Sequence, residues 1–306
     1  MFETRLTGLD GSNLLGFLAA LGTLRVLEEA ADGAEVRMAW RLQGRWMPVI
    51  QHSALQSEEE FLSALGQRIC GESSVNSAWN IGNDLTLPLE AFRDHLFRSA
   101  GAGSAGREEA DFLAAFGSDG VGAGPKKDQM SDTEFRTMSG AGHQHFLGFM
   151  KELAAGTDTE HLRRTLFESW DYADGRPSLR WDPADYRPHA LRAEDPAGDP
   201  IRTMRGANRL AVEALPLFPT AAVRGRLNTV GFEDRNREPE VTWPIWKEPV
   251  GRATVASLLA LEELQAAQVG ERERRTLERR GLGQVFRAKR FTEGKYRNFS
   301  PARALL

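Results

Sequence analysis

One cysteine, Cys70, stands in a chain of 306 residues. It excludes an internal disulfide and a cysteine-rich zinc site, and makes a reducing, cytoplasmic compartment the expectation. Long apolar runs are also missing. The longest, Leu14 to Leu21, falls far short of the roughly 18 residues a membrane span needs, and Arg25, Glu28 and Glu29 close the segment with charge. Met1 to Arg5 lacks the basic and apolar regions of an export signal, which again predicts a cytoplasmic protein without membrane contact. Two glycine-rich stretches fail as nucleotide sites. Gly101 to Gly106 matches the dinucleotide pattern letter for letter, yet follows a helical segment instead of a strand. Gly120 to Pro125 runs into Lys126-Lys127 without the Gly-Lys-Ser/Thr of a phosphate loop, so no cofactor is expected. No internal repeat is evident.

What is present is ordinary for a soluble globular chain, with 41% hydrophobic and 27% charged residues. The length suits either two modest domains, 1–125 and 126–306, or a single large one. The stretch GLDGSNLLGFLAALGTLRVL, residues 8–27, organises the first part. Ser12 and Asn13 are N-cap residues, and Leu14, Phe17, Leu18, Leu21 and Leu24 follow at helical spacing. Leu15, Ala19, Ala20 and Leu27 fill the other side, so the helix is predicted to be buried all round. Gly16 and Gly22 cost helix propensity, which predicts that other backbone approaches there.

Residues 35–40 and 46–50 alternate as two strands of a hairpin around Gln43-Gly44-Arg45. Ser57 with Glu60 opens a helix to about Ile69, and Pro88 to Phe97 reads as another. Residues 99–125 read as a glycine-rich surface loop, disordered or ordered by a partner, with a helix near Ala110 to Phe116. Glu134 to Met138 is predicted as a strand, followed by a small-residue turn through His145 and an apolar helix to about Ala155. Such a turn exposes amides that suit an anion. Further helices are predicted from Thr157 to Trp170, Thr203 to Leu215 and Thr254 to Gln265. Leu227 to Phe232 and Val241 to Trp246 read as a second hairpin, followed by a basic helix and a strand at Gln284 to Phe291. The fold class is therefore α+β: an N-terminal strand and buried apolar helix with a hairpin and helices, then a C-terminal β-hairpin plus basic helix and strand.

Charge is unevenly spread. Residues 271–306 carry 11 Lys/Arg against 4 Asp/Glu, an excess of +7 in a chain whose net charge is -4. A basic block attracts phosphate backbones or an acidic protein surface, and a solvated, salt-bridged helix face is the alternative. In the tail Arg287, Lys289, Arg290, Lys295, Arg297 and Asn298 are interleaved with Phe286, Phe291, Tyr296 and Phe299, the combination that neutralises phosphates and stacks bases. Further candidate nucleic-acid contacts are Lys126, Lys127, Arg136, Gln144, Arg202, Arg205, Asn208, Arg209, Arg224, Arg226 and Asn228. Arg226 and Asn228 are two apart on one strand face, suited to reading guanine and adenine edges. Alternatively Asn228 caps a turn and Arg226 pairs with an acid. Asp182, Asp185 and His189 form a possible metal set for a nuclease, with Lys126 or Arg205 on the phosphate, although Asp-Pro pairs also make Asx-turns. His143 and His145 are two apart and point apart on a helix, which argues against a metal there.

Three stretches together are similar to a known family: the opening 8–27, the middle LRWDPADYRPHALRAEDPAGDPIRTMRGANRLAVEALPLFP, and the closing RNFSPA. They resemble CRISPR-associated proteins encoded with type I-G systems, formerly type I-U, some described as extensions of the helicase-nuclease. The opening is also similar to large-subunit-like proteins of type I effector complexes. The resemblance implies a non-catalytic subunit of an RNA-guided antiviral complex. Its implied partners are other effector subunits, guide RNA, target DNA (flanking duplex or displaced strand) and the helicase-nuclease. A metal-dependent nuclease and a scaffold docking on an acidic partner are the alternatives.

Overall fold

The first buried helix, α1, spans Leu14–Ala30 in the computed structural model, which describes residues 1–30, 33–138, 144–185, 202–235, 238–266, 268–293 and 296–306. Asn13 caps it, its Oδ1 accepting from the Gly16 amide at 3.1 Å. Every residue from Leu14 to Leu27 is buried, as its all-round apolar pattern requires. On one side lies a three-stranded antiparallel sheet of β1 (Phe2–Arg5), β2 (Val36–Gln43) and β3 (Arg45–His52), in the order β1-β3-β2. Gly44, at φ +72°, makes the tight turn between β2 and β3.

A second antiparallel sheet is built from β8 (Phe232–Arg235), β9 (Glu238–Trp246), β10 (Leu282–Glu293) and β11 (Tyr296–Phe299), in the order β11-β10-β9-β8. A short β12 (Arg303–Ala304) also pairs with β10. Aromatic rings join the two sheets across α1. Phe17 stacks on Trp40 at 5.7 Å and lies 5.8 Å from Trp243. The buried indoles spend their N–H groups on backbone: Trp243 donates to the Gly11 carbonyl at 2.8 Å and Trp246 to that of Met38 at 2.7 Å. The apolar core runs from Leu6 to Phe299, crossing residue 125 without a break.

The helices α2 (Glu58–Ile69), α3 (Leu89–Gly101), α4 (Arg107–Phe116), α5 (Phe146–Gly156), α6 (Thr159–Phe167), α7 (Arg205–Glu213), α8 (Arg252–Leu259) and α9 (Glu271–Arg279) complete the α+β fold. Ser57 caps α2 through the Glu60 amide, and Asp158 caps α6 through that of His161. The closest helix contact is α1 with α7. A Cβ on Gly22 would lie 1.8 Å from the Leu210 carbonyl oxygen, so only glycine admits the crossing. A Cβ on Gly206 would lie 2.4 Å from the His161 carbonyl, which sets α7 equally close to α6.

At this crossing the core holds charge. The Glu213 carboxylate meets Arg25 at 2.5 Å and Arg209 at 2.6 Å, and all three side chains are buried. Each guanidinium also covers a ring, Arg25 over Phe112 at 5.2 Å and Arg209 over Trp79 at 5.1 Å.

Several expectations are corrected. Residues 99–125 are not a loop: α3 extends to Gly101, a 3-10 turn follows at Gly103–Gly106, and α4 leads into β4 (Gly117–Ala123), paired with β5 (Gln129–Asp132). Gly106 permits the junction, since a Cβ there would sit 2.1 Å from the Ser99 carbonyl. Glu134 to Met138 is not a strand. Its backbone turns at Arg136, whose amide donates to Thr133, because Asp84 and Asp132 hold that guanidinium inward. The second hairpin is two: β6 (Thr220–Val223) pairs with β7 (Arg226–Thr229), and β8 with β9. Arg224 and Gly225, at φ +51° and +76°, form the turn that the sequence reading missed. The helix expected to Gln265 stops at Leu259, with a 3-10 turn at Glu262–Gln265. The turn at 139–143, including His143, lies outside the described residues, as do His189 and residues 186–201.

Gly22→Ala is expected to lower stability to urea by about 2–3 kcal/mol through overpacking against Leu210. An unchanged midpoint would show that the α1–α7 crossing has room for a side chain.

Candidate nucleic-acid interface

The positively charged residues divide into those turned inward and those left in solvent. Arg209 is completely buried, with Nε donating to the Ile69 carbonyl at 2.8 Å in addition to its Glu213 pair. Arg136, buried between Asp84 and Asp132, is equally engaged. Arg287 is 1% exposed; its Nε donates to Thr242 Oγ1 and its Nη2 to the Leu264 and Ala266 carbonyls, each at 2.8 Å. Burial, with Arg235 beside it, pulls Arg287 down to about 10, so it stays charged at neutral pH. Arg290 pairs with Glu134 and donates to its carbonyl. Burial lowers the arginine and raises the acid, each shift opposed by the partner's charge.

These placements correct the expectation of a basic phosphate-binding tail. Arg297 donates to the Arg136 carbonyl at 3.1 Å, and Lys289, though exposed, pairs with Glu238 at 2.9 Å. Asn298 is buried and accepts from Arg180. Lys295 and the Tyr296 side chain lie outside the described residues. Asn208, fully buried, accepts from the Leu179 amide and donates to Thr203 Oγ1 and the Met204 carbonyl. Gln144 is buried, Arg205 donates to the Arg176 carbonyl, and Arg202 is exposed. In the tail Arg272, Arg274, Arg275 and Arg279 are exposed on α9, where Leu277 alone is buried, and the exposed Arg280 and Arg303 lie beside Glu263 and Glu240.

Four of the outward candidates lie on two hairpins. The β4–β5 tip carries Lys126 and Lys127, both exposed, the latter at φ +55°. The β6–β7 tip carries Arg224 and Arg226, the latter 84% exposed. Both hairpins leave the end of α4: β4 continues it directly, and Thr220 Oγ1 donates to the Ala114 carbonyl at 2.9 Å. Further out, residues 119–121 bulge from β4, and a Cβ on Gly120 would come within 2.7 Å of the Ala222 methyl. The hairpins therefore run side by side in one direction and present their tips together. Among the described residues Lys126, Lys127 and Arg224 have no carboxylate within salt-bridge distance.

Arg226 and Asn228 share the outer face of β7, opposite Val223 and Ala221 of β6, as their two-residue spacing predicted. Arg226 does approach an acid, Asp234, but only at 3.8 Å and in solvent. Beneath that face, between β7 and β8, a cleft of about 600 Å³ opens over Leu227 and Phe232.

Of the alternative metal set Asp182, Asp185 and His189, only the Asp182 side chain lies among the described residues. Asp182 is 2% exposed and accepts from Asn13 Nδ2 at 3.0 Å, the Tyr172 hydroxyl at 3.1 Å and the Ala184 amide at 2.9 Å. It ties the start of α1 to the following loop, and the Asx-turn reading is the one that describes it. The Asp185 side chain lies outside the described residues, and among those described no three His, Cys, Asp or Glu side chains converge as a metal site.

The carboxylates that turn the arginines inward, Asp84, Glu134, Glu213 and Glu240, were not singled out by sequence reasoning. Arg25 and Glu213 are 188 positions apart, beyond any local spacing rule. Arg224-Gly225 was the one local signal for the missed β6–β7 turn. The inward and outward classes separate by stability: Arg287→Ala is expected to cost about 3 kcal/mol, and Lys126→Ala less than about 0.5 kcal/mol. Equal losses in urea denaturation would contradict the division. In comparisons with known proteins, no family model and no curated protein matches the chain.

Proposed function

We propose that this chain is a non-catalytic, large-subunit-like component of a type I CRISPR effector complex, binding target DNA and neighbouring subunits in the cytoplasm. The observation that carries the reading is the pair of parallel-running hairpins whose tips together present Lys126, Lys127, Arg224 and Arg226 to solvent. Side chains of this kind bind phosphates without reading sequence, while Asn228 on the same face has the donor and acceptor needed to read a base. In an RNA-guided complex pairing with the guide selects the target, and the protein has only to hold the flanking duplex or displaced strand. The similarity of the opening, middle and closing motifs to the type I-G proteins supports the same assignment. The exposed arginines of α9 are a second surface, suited to contact with a neighbouring subunit.

Replacing Lys126, Lys127, Arg224 and Arg226 together with alanine is expected to weaken binding to any DNA sequence. The slope of log K against log salt should fall by about 3 to 4, at roughly 0.9 for each phosphate no longer neutralised. A variant that melts like the wild type and keeps its salt slope would remove the hairpins from the interface.

A further inference from the structure

The strand β1 is an open edge of the first sheet. The Leu6 amide donates to the Pro48 carbonyl at 3.0 Å, so by antiparallel alternation Phe2, Thr4 and Leu6 turn their backbone groups toward β3. The N–H and C=O groups of Glu3 and Arg5 therefore point away from the sheet. Among the described residues the Thr7 amide takes one lone pair of the Arg5 carbonyl, at 3.0 Å, and the remaining three groups meet no hydrogen-bond partner. The far edge of the same sheet is closed, since Met38 of β2 exchanges two hydrogen bonds with Val250, at 2.9 and 3.0 Å. Along β1 the exposed side chains are Phe2, at 41%, Glu3 and Arg5. Gln51 donates to Glu3 Oε1 at 2.9 Å, which leaves the carboxylate further lone pairs. Arg5 has no carboxylate within salt-bridge distance among the described residues.

An unpaired edge accepts another strand, and the charges it carries decide which one. If β1 pairs with itself about a two-fold axis, outward-pointing residues must face each other. A register centred on Glu3 opposes two glutamates, and one centred on Arg5 opposes two arginines. The register centred on Thr4 sets each Glu3 against the partner's Arg5 and is the attractive one of the three. We propose that a second copy of this chain docks on β1 in that register, joining two three-stranded sheets into one of six strands. Each Glu3–Arg5 pair then exchanges two backbone hydrogen bonds, with its side chains directly opposite on one face. Phe2 comes to stand opposite the partner's Leu6. The edge is short, so the contact falls below the roughly 1,200 Å² of stable complexes, and the dimer forms at about 10–100 μM. The inference is independent of the DNA-binding reading.

Sedimentation velocity of the full chain from about 1 to 200 μM tests it, across the range expected for a small interface. Wild type should pass from monomer to twice the monomer mass. Glu3→Arg and Arg5→Glu each oppose like charges twice in the dimer, and each should weaken it about tenfold. Both substitutions in one chain should restore it. Mixing the two single variants should do the same, because every pair again sets an acid against an arginine. In the wild type the Glu3 and Arg5 amides should also gain protection from hydrogen exchange as concentration rises, a readout that holds even where a variant melts early. A chain that stays monomeric, a dimer indifferent to the single reversals, or amides that gain no protection would overturn the proposal.

Discussion

Glu213 holds two guanidiniums that are cut off from water, Arg25 from α1 and Arg209 from its own helix. Removing the carboxylate would strand both charges, at about 3–5 kcal/mol for a broken buried pair. The rings of Phe112 and Trp79 cover the same guanidiniums, so the ionic group also ties α4 and the Ser77–Asn80 turn to the crossing. Gly22 lets α1 come close enough for the carboxylate to be reached. Both sheets and the hairpins that leave α4 take their positions from this joint.

Buried charge recurs elsewhere in the core. Glu240 lies near Arg235, Arg287 and Arg303, at 3.1, 3.9 and 3.6 Å, and Arg136 lies between two aspartates. A local excess of lysine and arginine in the sequence is therefore a poor guide to where a polyanion binds. Much of the excess in 271–306 is spent on carbonyls and on carboxylates from earlier segments. The cations on the hairpin tips stand apart because, among the described residues, no carboxylate comes within salt-bridge distance of Lys126, Lys127 or Arg224, although Asp128 follows Lys127 in the turn.

The sequence was most legible where the signal is local. The α1 pattern, the Gly44 hairpin, the Ser57 cap and the exposed pair Arg226 and Asn228 all follow from spacings of a few residues. Gly16 and Gly22 both marked close backbone, although at Gly16 the neighbour is the chain's own preceding turn at Asp10. Where it failed, the cause lay far along the chain. Glu134 to Met138 has the composition of a strand, but Asp84 and the core rings Phe218 and Phe232 draw Arg136 and Phe135 into a turn. The glycines of 101–122 look like disorder to a composition rule, whereas several are contact points that exclude a Cβ. The tail read as a nucleic-acid surface because its partners, Glu134, Glu238 and Glu240, are up to 156 positions away.

The central claim is that outward cations on two hairpins contact DNA while the buried arginines hold the fold. Amide hydrogen exchange, followed along the chain with and without a DNA carrying a short unpaired strand, tests it most directly. Added protection should be confined to 117–132 and 220–235, with 282–291 unchanged. Protection along 282–291 with none at the hairpins would contradict the account.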